Sequence, residues 1–343
     1  MNPFTERTRI TDPARFTGRW RELGTIFERL ESRRPTLVIG VPGAGKSSLL
    51  THVHQAAPSV LELPDLASFF LDLAVLPDAA TVYQLLTRAM GFRGDTLAEL
   101  EAALVRLRRP VLICLDGVDT ALEAGWGEQL LERLARLARR SLPFDPDGLA
   151  PPDASRFDLM LVAAAGAVAP TLSEPFAVVA MRALAPSEVR LLTEAYLDET
   201  GVEFSGAELN ELAALSVGHP AYLQRAAYHL FKAKTQPGYN WRAAYLAEAR
   251  EQPVPGAPLP PAVFRGEGED AFTTTDGTEP EAGGARTAPE LMSTSGGGEL
   301  FEAILPVVAA LIALQAGLGW AVALLVLVAG YGLVALLLRR KRL

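Results

Sequence analysis

The sequence has little of what is typical of disulfide-stabilised, secreted or nucleic-acid-binding proteins. Its single cysteine, Cys114, excludes an internal disulfide and is compatible with a reducing cytosol. The N-terminal residues MNPFTERTRITDPARF are polar and charged, so we expect no secretory signal. The 32 lysines and arginines stand against 40 aspartates and glutamates, a net charge of −8. We therefore expect no nucleic-acid partner and a chain that folds in the cytoplasm.

Most of the acidic excess lies in residues 251–299, which hold nine acidic and two basic residues. The same 49 positions contain nine glycines and seven prolines, a proportion typical of low-complexity chain. Apolar residues have no period there, so the segment cannot bury enough surface to offset the entropy lost on ordering. We predict a disordered, flexible linker over residues 251–299.

Between about residues 11 and 252, apolar runs of strand length alternate with segments of helical period, as in a parallel sheet covered by helices. Strands are predicted at Thr36–Ile39, Phe69–Val75, Val111–Leu115, Leu159–Ala164 and Phe176–Met181. Only helices are predicted after them, at Ser187–Glu199, Ala207–Val217, Pro220–Lys234 and Trp241–Arg250, with Ser205 and Glu208 spaced as a capping box. The prediction is an α/β core over residues 1–183, with helices on both faces of the sheet, and a helical lid over residues 184–250.

The C-terminal region is strongly apolar. Residues 303–338 carry no charge and are followed by Arg339-Arg340-Lys341-Arg342. One straight helix of that length would extend about 54 Å, whereas the hydrocarbon core of a bilayer is about 30 Å thick. The stretch Gln315–Gly319 interrupts the run near its middle. Because the basic end and the folded core should share the cytoplasmic side, an even number of crossings is expected. We predict that residues 300–343 form a transmembrane hairpin of two short helices.

Two alternatives to the hairpin stay open. One is a single pass from about Leu318 to Leu338, with residues 303–316 lying in the membrane interface or against a neighbour. The other is a soluble hairpin buried in the protein. The hairpin implies a lipid bilayer as partner and a place in the bacterial inner membrane, with the α/β domain in the cytoplasm. Gly317 and Gly319 would let helices approach closely, which suggests a homo-oligomer.

The most specific motif is Gly40-Val41-Pro42-Gly43-Ala44-Gly45-Lys46-Ser47, which matches G-x-x-x-x-G-K-[ST]. A predicted strand precedes it and a helix-forming segment from Ser48 follows it. Glycines permit backbone conformations that turn successive N–H groups towards a phosphate, and a helix N-terminus adds positive potential. We predict that residues Gly40 to Ser48 bind a nucleotide, that Lys46 reaches its β and γ phosphates, and that the Ser47 hydroxyl ligates Mg²⁺.

A magnesium nucleotide also needs a carboxylate at the end of a neighbouring strand. Asp116 follows the apolar run Val111–Leu115 and is predicted to hold the metal. Asp119 lies three positions later, where a carboxylate can poise the attacking water. We therefore predict that Asp116 and Ser47 bind the metal and that Asp119 and Lys46 are catalytic. The guanine signature N-K-x-D is absent from the sequence, which favours ATP over GTP.

These residues resemble motifs of the STAND class of P-loop ATPases, signal-transducing relatives of AAA+ proteins. The resemblance covers about residues 14–235 and rests on four stretches. They are the phosphate loop, Leu115-Asp116-Gly117-Val118-Asp119, the F-x-G-R-x-x-E-L match from Phe16 to Leu23, and the G-x-P match Gly218-His219-Pro220. It implies that Gly18 and Arg19 lie near the adenine and that Pro220 contacts the nucleotide from the lid.

The sequence departs from that family at two positions. The strand expected to carry a polar γ-phosphate sensor ends in Ala165-Gly166, which offer no side-chain hydrogen bond. Pro220 and Ala221 stand where AAA+ motors have an arginine early in a lid helix. We therefore expect slow hydrolysis, or hydrolysis that depends on an arginine from a neighbouring subunit.

The sequence thus favours a membrane-tethered ATP-binding and hydrolysing switch, dependent on Mg²⁺. The resemblance implies a role in signalling, in bacteria often in defence, where a membrane segment acts as effector or anchor. No repeat-built sensor follows the lid, so the stimulus is expected from an unknown protein partner or from the short N-terminus. The alternatives are an ATPase motor or a nucleotide-binding scaffold of a membrane transport or secretion complex.

Overall fold

The structure, a computed structural model, describes residues 2–5, 7–142, 156–198 and 200–264. The chain divides into two units, Met1–Phe272 and Thr273–Leu343, and every described residue belongs to the first. The predicted transmembrane segment, residues 300–343, and most of the predicted linker lie outside the described residues. Within the described ranges, no helix is long and apolar enough to cross a membrane.

Among the described residues, five parallel strands form one sheet, as predicted for an α/β core. The strands are β1 (Thr36–Ile39), β2 (Ala67–Asp72), β3 (Val111–Asp116), β4 (Leu159–Ala165) and β5 (Ala177–Ala180). Their order is β2-β3-β4-β1-β5. Each strand coincides with an apolar run of the sequence to within a few residues, because a strand covered on both faces needs apolar side chains throughout.

The strand order corrects one expectation about the site. Asp116 was expected on the strand next to the one that leads into the phosphate loop. Instead β4 lies between β1 and β3, and Val162 pairs with Thr36 on one side and with Cys114 on the other. Buried parallel strands all read as similar apolar runs, so the sequence carries little signal for their order. The carboxyl ends of β1 and β3 still meet at the same edge of the sheet, where ligands of open α/β sheets bind.

Helices cover both faces of the sheet, which confirms the predicted layering. One face carries α1 (Trp20–Glu31) and α2 (Lys46–Val60), and the other carries α3 (Ala79–Ala89), α4 (Leu97–Leu107), α5 (Val118–Glu123) and α6 (Gly127–Arg139). Side chains of a strand alternate between its faces. In β3, Leu112 and Cys114 pack under α1 and α2, whereas Ile113 and Leu115 pack on the opposite side. Burial raises the pKa of the Cys114 thiol, as expected for an inert core residue.

Four helices form the lid around a hydrophobic core of its own. They are α7 (Pro186–Leu197), α8 (Gly206–Ser216), α9 (Pro220–Thr235) and α10 (Trp241–Glu251). The predicted capping box begins α8. The backbone N–H of Ser205 donates to Glu208 Oε2 over 2.7 Å, and that of Glu208 donates to Ser205 Oγ over 3.3 Å. This box satisfies two donors at the helix start.

Two segments that the sequence did not assign to the lid complete its core. Phe4 is fully buried there and stacks on Tyr196, with ring centroids 5.4 Å apart. Residues 252–264, which were predicted to begin the disordered linker, pack on the lid through the buried side chains of Val254 and Val263. Isolated valines among prolines show no helical or strand period, so the sequence pattern gave no signal for this packing.

A buried ion pair joins the end of α1 to the start of β4. Arg33 donates from Nε to Asp158 Oδ1 over 2.6 Å and from Nη2 to Asp158 Oδ2 over 2.7 Å. The Asp158 side chain is 1% exposed and that of Arg33 is 10% exposed. Arg242 and Glu211 form a chemically similar pair between α10 and α8, but the Arg242 side chain is 62% exposed.

We predict that Asp158→Asn lowers the free energy of unfolding by about 3 to 5 kcal/mol, because it leaves a buried guanidinium without its counter-charge. The matched variant Glu211→Gln should cost less than about 1 kcal/mol, since that pair is in water. Equilibrium denaturation of the two variants tests this. Equal losses would show that burial of the Arg33 pair has no consequence for stability.

Candidate functional site

The phosphate loop connects β1 to α2 at the carboxyl edge of the sheet. Gly43 and Gly45 have φ values of +75° and +93°, in the left-handed region that residues with a Cβ disfavour. Gly45 is the N-cap of α2 and provides no side-chain cap. The first N–H groups of α2 thus have no partner within the helix or from a capping side chain, as in an anion-binding loop.

Lys46 is the first residue of α2, and its ammonium group is held inside the loop. Nζ donates to the carbonyl oxygens of Gly40 over 2.6 Å and of Val41 over 3.2 Å. Burial lowers the pKa of Lys46, whereas the charges of Asp119 and Asp116 oppose this effect. The lysine and both predicted aspartates therefore lie within electrostatic reach of one another.

The two aspartates lie on either side of the turn from β3 into α5. Asp116 ends β3 and is buried, and Asp119 is in the first turn of α5. The backbone N–H of Gly166, just after β4, donates to Asp119 Oδ1 over 2.8 Å and to Oδ2 over 2.7 Å. At the point where the sequence offered no polar sensor side chain, the backbone itself contacts the predicted catalytic carboxylate.

The predicted metal ligands fit a magnesium ion that shares its coordination with phosphates. The described parts of the chain contain no group of three or more His, Cys, Asp or Glu side chains that could hold a metal ion. Magnesium in nucleotide sites is bound by one or two protein oxygens, phosphate oxygens and water. The Asp116 carboxylate and the Ser47 hydroxyl form a donor set of this kind. When bound, the ion neutralises charge on the β- and γ-phosphate oxygens.

A cavity of about 460 Å³ extends from the loop towards the lid, a volume within the range of small-molecule sites. Among the predicted nucleotide-binding residues, those lining it are Pro42, Gly43, Ala44, Gly45, Lys46, Ser47, Ser48, Arg19 and Pro220. Gly18, Gly40 and Val41 do not line it. The lining also includes residues that the sequence did not single out, namely Arg7, Thr8, Arg9, Ile10, Gln224 and Val254.

Arg19 supports the loop as well as lining the cavity. Its guanidinium donates to Ala44 O over 3.0 Å, to Glu22 Oε1 over 3.3 Å and to the carbonyl oxygen of Arg182. Its backbone N–H donates to Glu188 Oε1 of α7 over 2.9 Å. Burial lowers the pKa of Arg19, and the charges of Glu22 and Glu188 oppose that shift. The residue therefore connects the loop, the end of β5 and the first lid helix.

The lid contacts the loop at Pro42 and Gly43. His219 Nε2 lies 3.0 Å from Pro42 O. A carbonyl oxygen can only accept, so Nε2 is the donor in this contact. Burial lowers the pKa of His219. A Cβ added at Gly43 would lie 2.8 Å from His219 Cε1 and 3.0 Å from Val254 Cγ1. The G-x-P element thus reaches the loop through its middle residue, while Pro220 lines the cavity.

Comparison with known proteins agrees with this geometry. Residues 34–146 match the family model of the NACHT domain. The fold is that of a P-loop NTPase. The match includes β1, the phosphate loop, β3, Asp116 and Asp119, so the site residues predicted in the core lie within the part of the chain that is similar to NACHT domains.

Two solved structures are similar to the described core and lid. The Orc1 protein of Aeropyrum pernix, solved in complex with DNA, is 18% identical, with a TM-score of 0.50 over 73% of this chain and 68% of that one. The Walker-type ATPase PABY2304 of Pyrococcus abyssi is 14% identical, with a TM-score of 0.52 over 73% and 76%. Such identities show a shared fold only. A search of curated proteins gave no match.

The stability cost of crowding at Gly43 can be measured separately from the cost of backbone strain in the loop. Gly45 also has a positive φ, but a Cβ there would have nothing within 4 Å. We predict that Gly45→Ala costs about 1 to 2 kcal/mol of stability through backbone strain. Gly43→Ala should cost about 1 to 3 kcal/mol more, because its methyl group must displace His219 and Val254. Thermal unfolding of both variants measures the difference, and equal melting temperatures would contradict a tight contact between lid and loop.

Proposed function

We propose that this protein is an ATP-operated switch that binds Mg·ATP between the phosphate loop and the lid and hydrolyses it slowly. Residues Gly40 to Ser48 bind the phosphates, Ser47 and Asp116 hold the metal, and Asp119 orients the attacking water. The absence of the N-K-x-D signature from the sequence supports ATP rather than GTP. The STAND-class resemblance supports a regulatory role, and Gly317 and Gly319 in the predicted hairpin support assembly into a homo-oligomer.

One observation carries the switch hypothesis: the chain that leaves the lid lies directly on the phosphate loop. Val254 approaches Gly43, and a Cβ added at Gly256 would lie 2.9 Å from Pro42 Cγ. Residues 252–264 are the first part of the predicted linker. Any change in the loop therefore acts on the start of the linker by direct contact. A ligand shifts such an equilibrium only by its different affinities for the two arrangements.

Binding of a nucleotide would break hydrogen bonds that Lys46 makes within the loop. Lys46 Nζ is bonded to the carbonyl oxygens of Gly40 and Val41, and an ammonium group has three donors. Reaching β- and γ-phosphate oxygens requires Lys46 to give up at least part of this bonding. Pro42 and Gly43 lie within the same loop and contact His219 and Val254. A rearrangement of the loop would therefore change its contacts with the lid and with the start of the linker.

The hydrolytic site favours slow turnover. Asp119 is oriented by two contacts from a single backbone N–H, that of Gly166. In the described residues, no polar side chain occupies the end of β4, and Pro220 and Ala221 stand at the start of α9. Arg225 lines the cavity, but its guanidinium pairs with Glu248 over 3.6 Å and donates to Gln252 O. The slow turnover expected of such a site favours a switch over the alternative of a motor in a transport or secretion complex.

The predicted hairpin in residues 300–343 supplies the membrane part of this proposal. The switch would act through the linker on a segment that anchors to, or perturbs, the bacterial inner membrane, with the nucleotide site in the cytoplasm. The uncharged run 303–338 and the basic residues that follow it support this arrangement. An unknown protein partner would provide the stimulus.

Two variants separate binding from hydrolysis. Lys46→Ala is expected to abolish the stabilisation by Mg·ATP in thermal unfolding, because the β and γ phosphates lose their cation. Asp119→Asn should keep that stabilisation and lower ATP turnover about 100-fold or more, the usual contribution of a positioned base. Unchanged turnover in Asp119→Asn would refute the role of this carboxylate, and rapid turnover by the unaltered protein would favour a motor.

Coupling to the linker can be measured by amide hydrogen exchange. We predict that adding Mg·ATP changes exchange in residues 252–264, because they touch the phosphate loop at Pro42 and Gly43. Exchange in α3, which lies on the far side of the sheet from α1 and α2, should be unaltered and is the internal control. No change in residues 252–264 under saturating nucleotide would contradict the switch.

A further inference from the structure

One side chain in the wall of the nucleotide cavity is buried without any hydrogen bond. Gln224, on α9, is 7% exposed. Neither its Nε2 nor its Oε1 has a partner among the described residues. A buried donor or acceptor without a partner costs stability, and each such group calls for an explanation. A ligand that uses both atoms would provide one.

The residues around Gln224 indicate which part of a bound ligand would contact its side chain. It lies four residues after Pro220, so both project from the same side of α9, and both line the cavity. Most other lining residues from the lid region are apolar, namely Leu184, Leu192, Ala221, Val254 and Pro255. The phosphate loop forms another wall of the same cavity. An apolar wall that contains one carboxamide can pack on the face of a flat ring and form hydrogen bonds with the polar edge of that ring.

The charged side chains of the same lining are already engaged. Arg7 pairs with Glu248 over 3.3 Å, and the Arg9 guanidinium lies 4.6 Å from the centre of the Phe70 ring. Arg19 is bound by Glu22 and by the loop. Arg225 is bound by Glu248 and Gln252, as described above. The carboxamide of Gln224 therefore offers a neutral donor and acceptor that no other group of the described lining uses.

We propose that Gln224 is the residue that selects adenine, with Oε1 accepting from the exocyclic N6 amine and Nε2 donating to a neighbouring ring nitrogen. Adenine presents a donor beside an acceptor, which a carboxamide matches with two hydrogen bonds. Guanine in the same orientation presents N7 and O6, which are two acceptors, and would leave Oε1 unpaired, so the selection depends on the N7 edge of the base facing Gln224. This inference rests on the proposed function, because it takes a nucleotide as the ligand, and it assigns the recognition of the base to a lid residue.

The test compares three ligands that offer Gln224 the whole adenine edge, part of that edge, or no base at all. They are Mg·ATP, the Mg complex of purine riboside triphosphate, which lacks the N6 amine, and Mg·tripolyphosphate, which lacks base and sugar. The full-length protein is titrated with each by calorimetry. The variants are Gln224→Leu, Lys46→Ala and the matched control Gln129→Leu, an exposed glutamine on α6.

Gln224→Leu is expected to weaken ATP binding on the order of ten- to a hundredfold, the range for a bidentate contact to a base. It should leave tripolyphosphate binding unchanged and reduce the preference for ATP over purine riboside triphosphate to near one. Gln129→Leu should behave as the unaltered protein. Lys46→Ala should lose both ATP and tripolyphosphate.

Equal ATP affinities of the unaltered protein and Gln224→Leu would overturn the assignment of Gln224 while the proposed function stands. Parallel loss of ATP and tripolyphosphate in Gln224→Leu would do the same, because it would indicate a general disturbance of the site. If the unaltered protein bound neither ligand, the proposed function would fail, and this inference with it.

A second measurement needs no ligand. Because leucine removes two buried groups that have no partner, Gln224→Leu should keep or raise the melting temperature of the nucleotide-free protein. In the ligand titrations described above, Gln224→Glu, which is similar in shape but cannot donate when ionised, should weaken ATP binding as Gln224→Leu does. A marked fall in the melting temperature of Gln224→Leu would show that the carboxamide supports the fold, and would overturn the proposal.

Discussion

Close packing at Gly43 holds the phosphate loop against the lid and against the start of the predicted linker. Gly43 has a positive φ, which lets the loop backbone curve as a phosphate-binding loop requires. Because it has no side chain, His219, Ala221 and Val254 can pack directly on its backbone. The loop is thus in contact with both the lid and the start of the predicted linker. A phosphate loop packed in this way cannot change its backbone conformation without moving the side chains that contact it, because closely packed interfaces are not freely deformable.

The sheet places the chemistry beside this contact. Parallel strands end at one edge, so Lys46 after β1, Asp116 at the end of β3 and Gly166 after β4 are brought together from distant parts of the sequence. The insertion of β4 between β1 and β3 puts the Gly166 N–H against Asp119. A backbone N–H thus contacts the predicted catalytic carboxylate at the end of a strand that carries no polar side chain there.

Much of the fold could be predicted from the sequence, because its signals are local. Five apolar runs marked five strands, and the pair Ser205 and Glu208 marked the start of α8. The phosphate loop was identifiable because its function needs glycines, a lysine and a hydroxyl at fixed spacing. The structure brings the Lys46 ammonium group within electrostatic reach of Asp116 and Asp119.

Other features depend on contacts between residues far apart in the chain, and no local pattern reveals them. The strand order, the burial of Phe4 and Val254 in the lid, and the unpartnered carboxamide of Gln224 are of this kind. Gln224 looks in sequence like any polar residue of a helix, and only its burial beside the cavity distinguishes it. Arg19 was expected near the adenine because of the family resemblance, whereas its hydrogen bonds show that it also supports the loop.

The most direct test of the account is a crystal structure with Mg²⁺ and a non-hydrolysable ATP analogue. We expect the triphosphate on the backbone N–H groups of Gly43 to Ser47, Lys46 Nζ moved from Gly40 O to phosphate oxygens, and the ion between Ser47 and Asp116. A structure in which the analogue lies elsewhere, with Lys46 still bonded to Gly40 and Val41, would contradict the central claim that this loop is the nucleotide site.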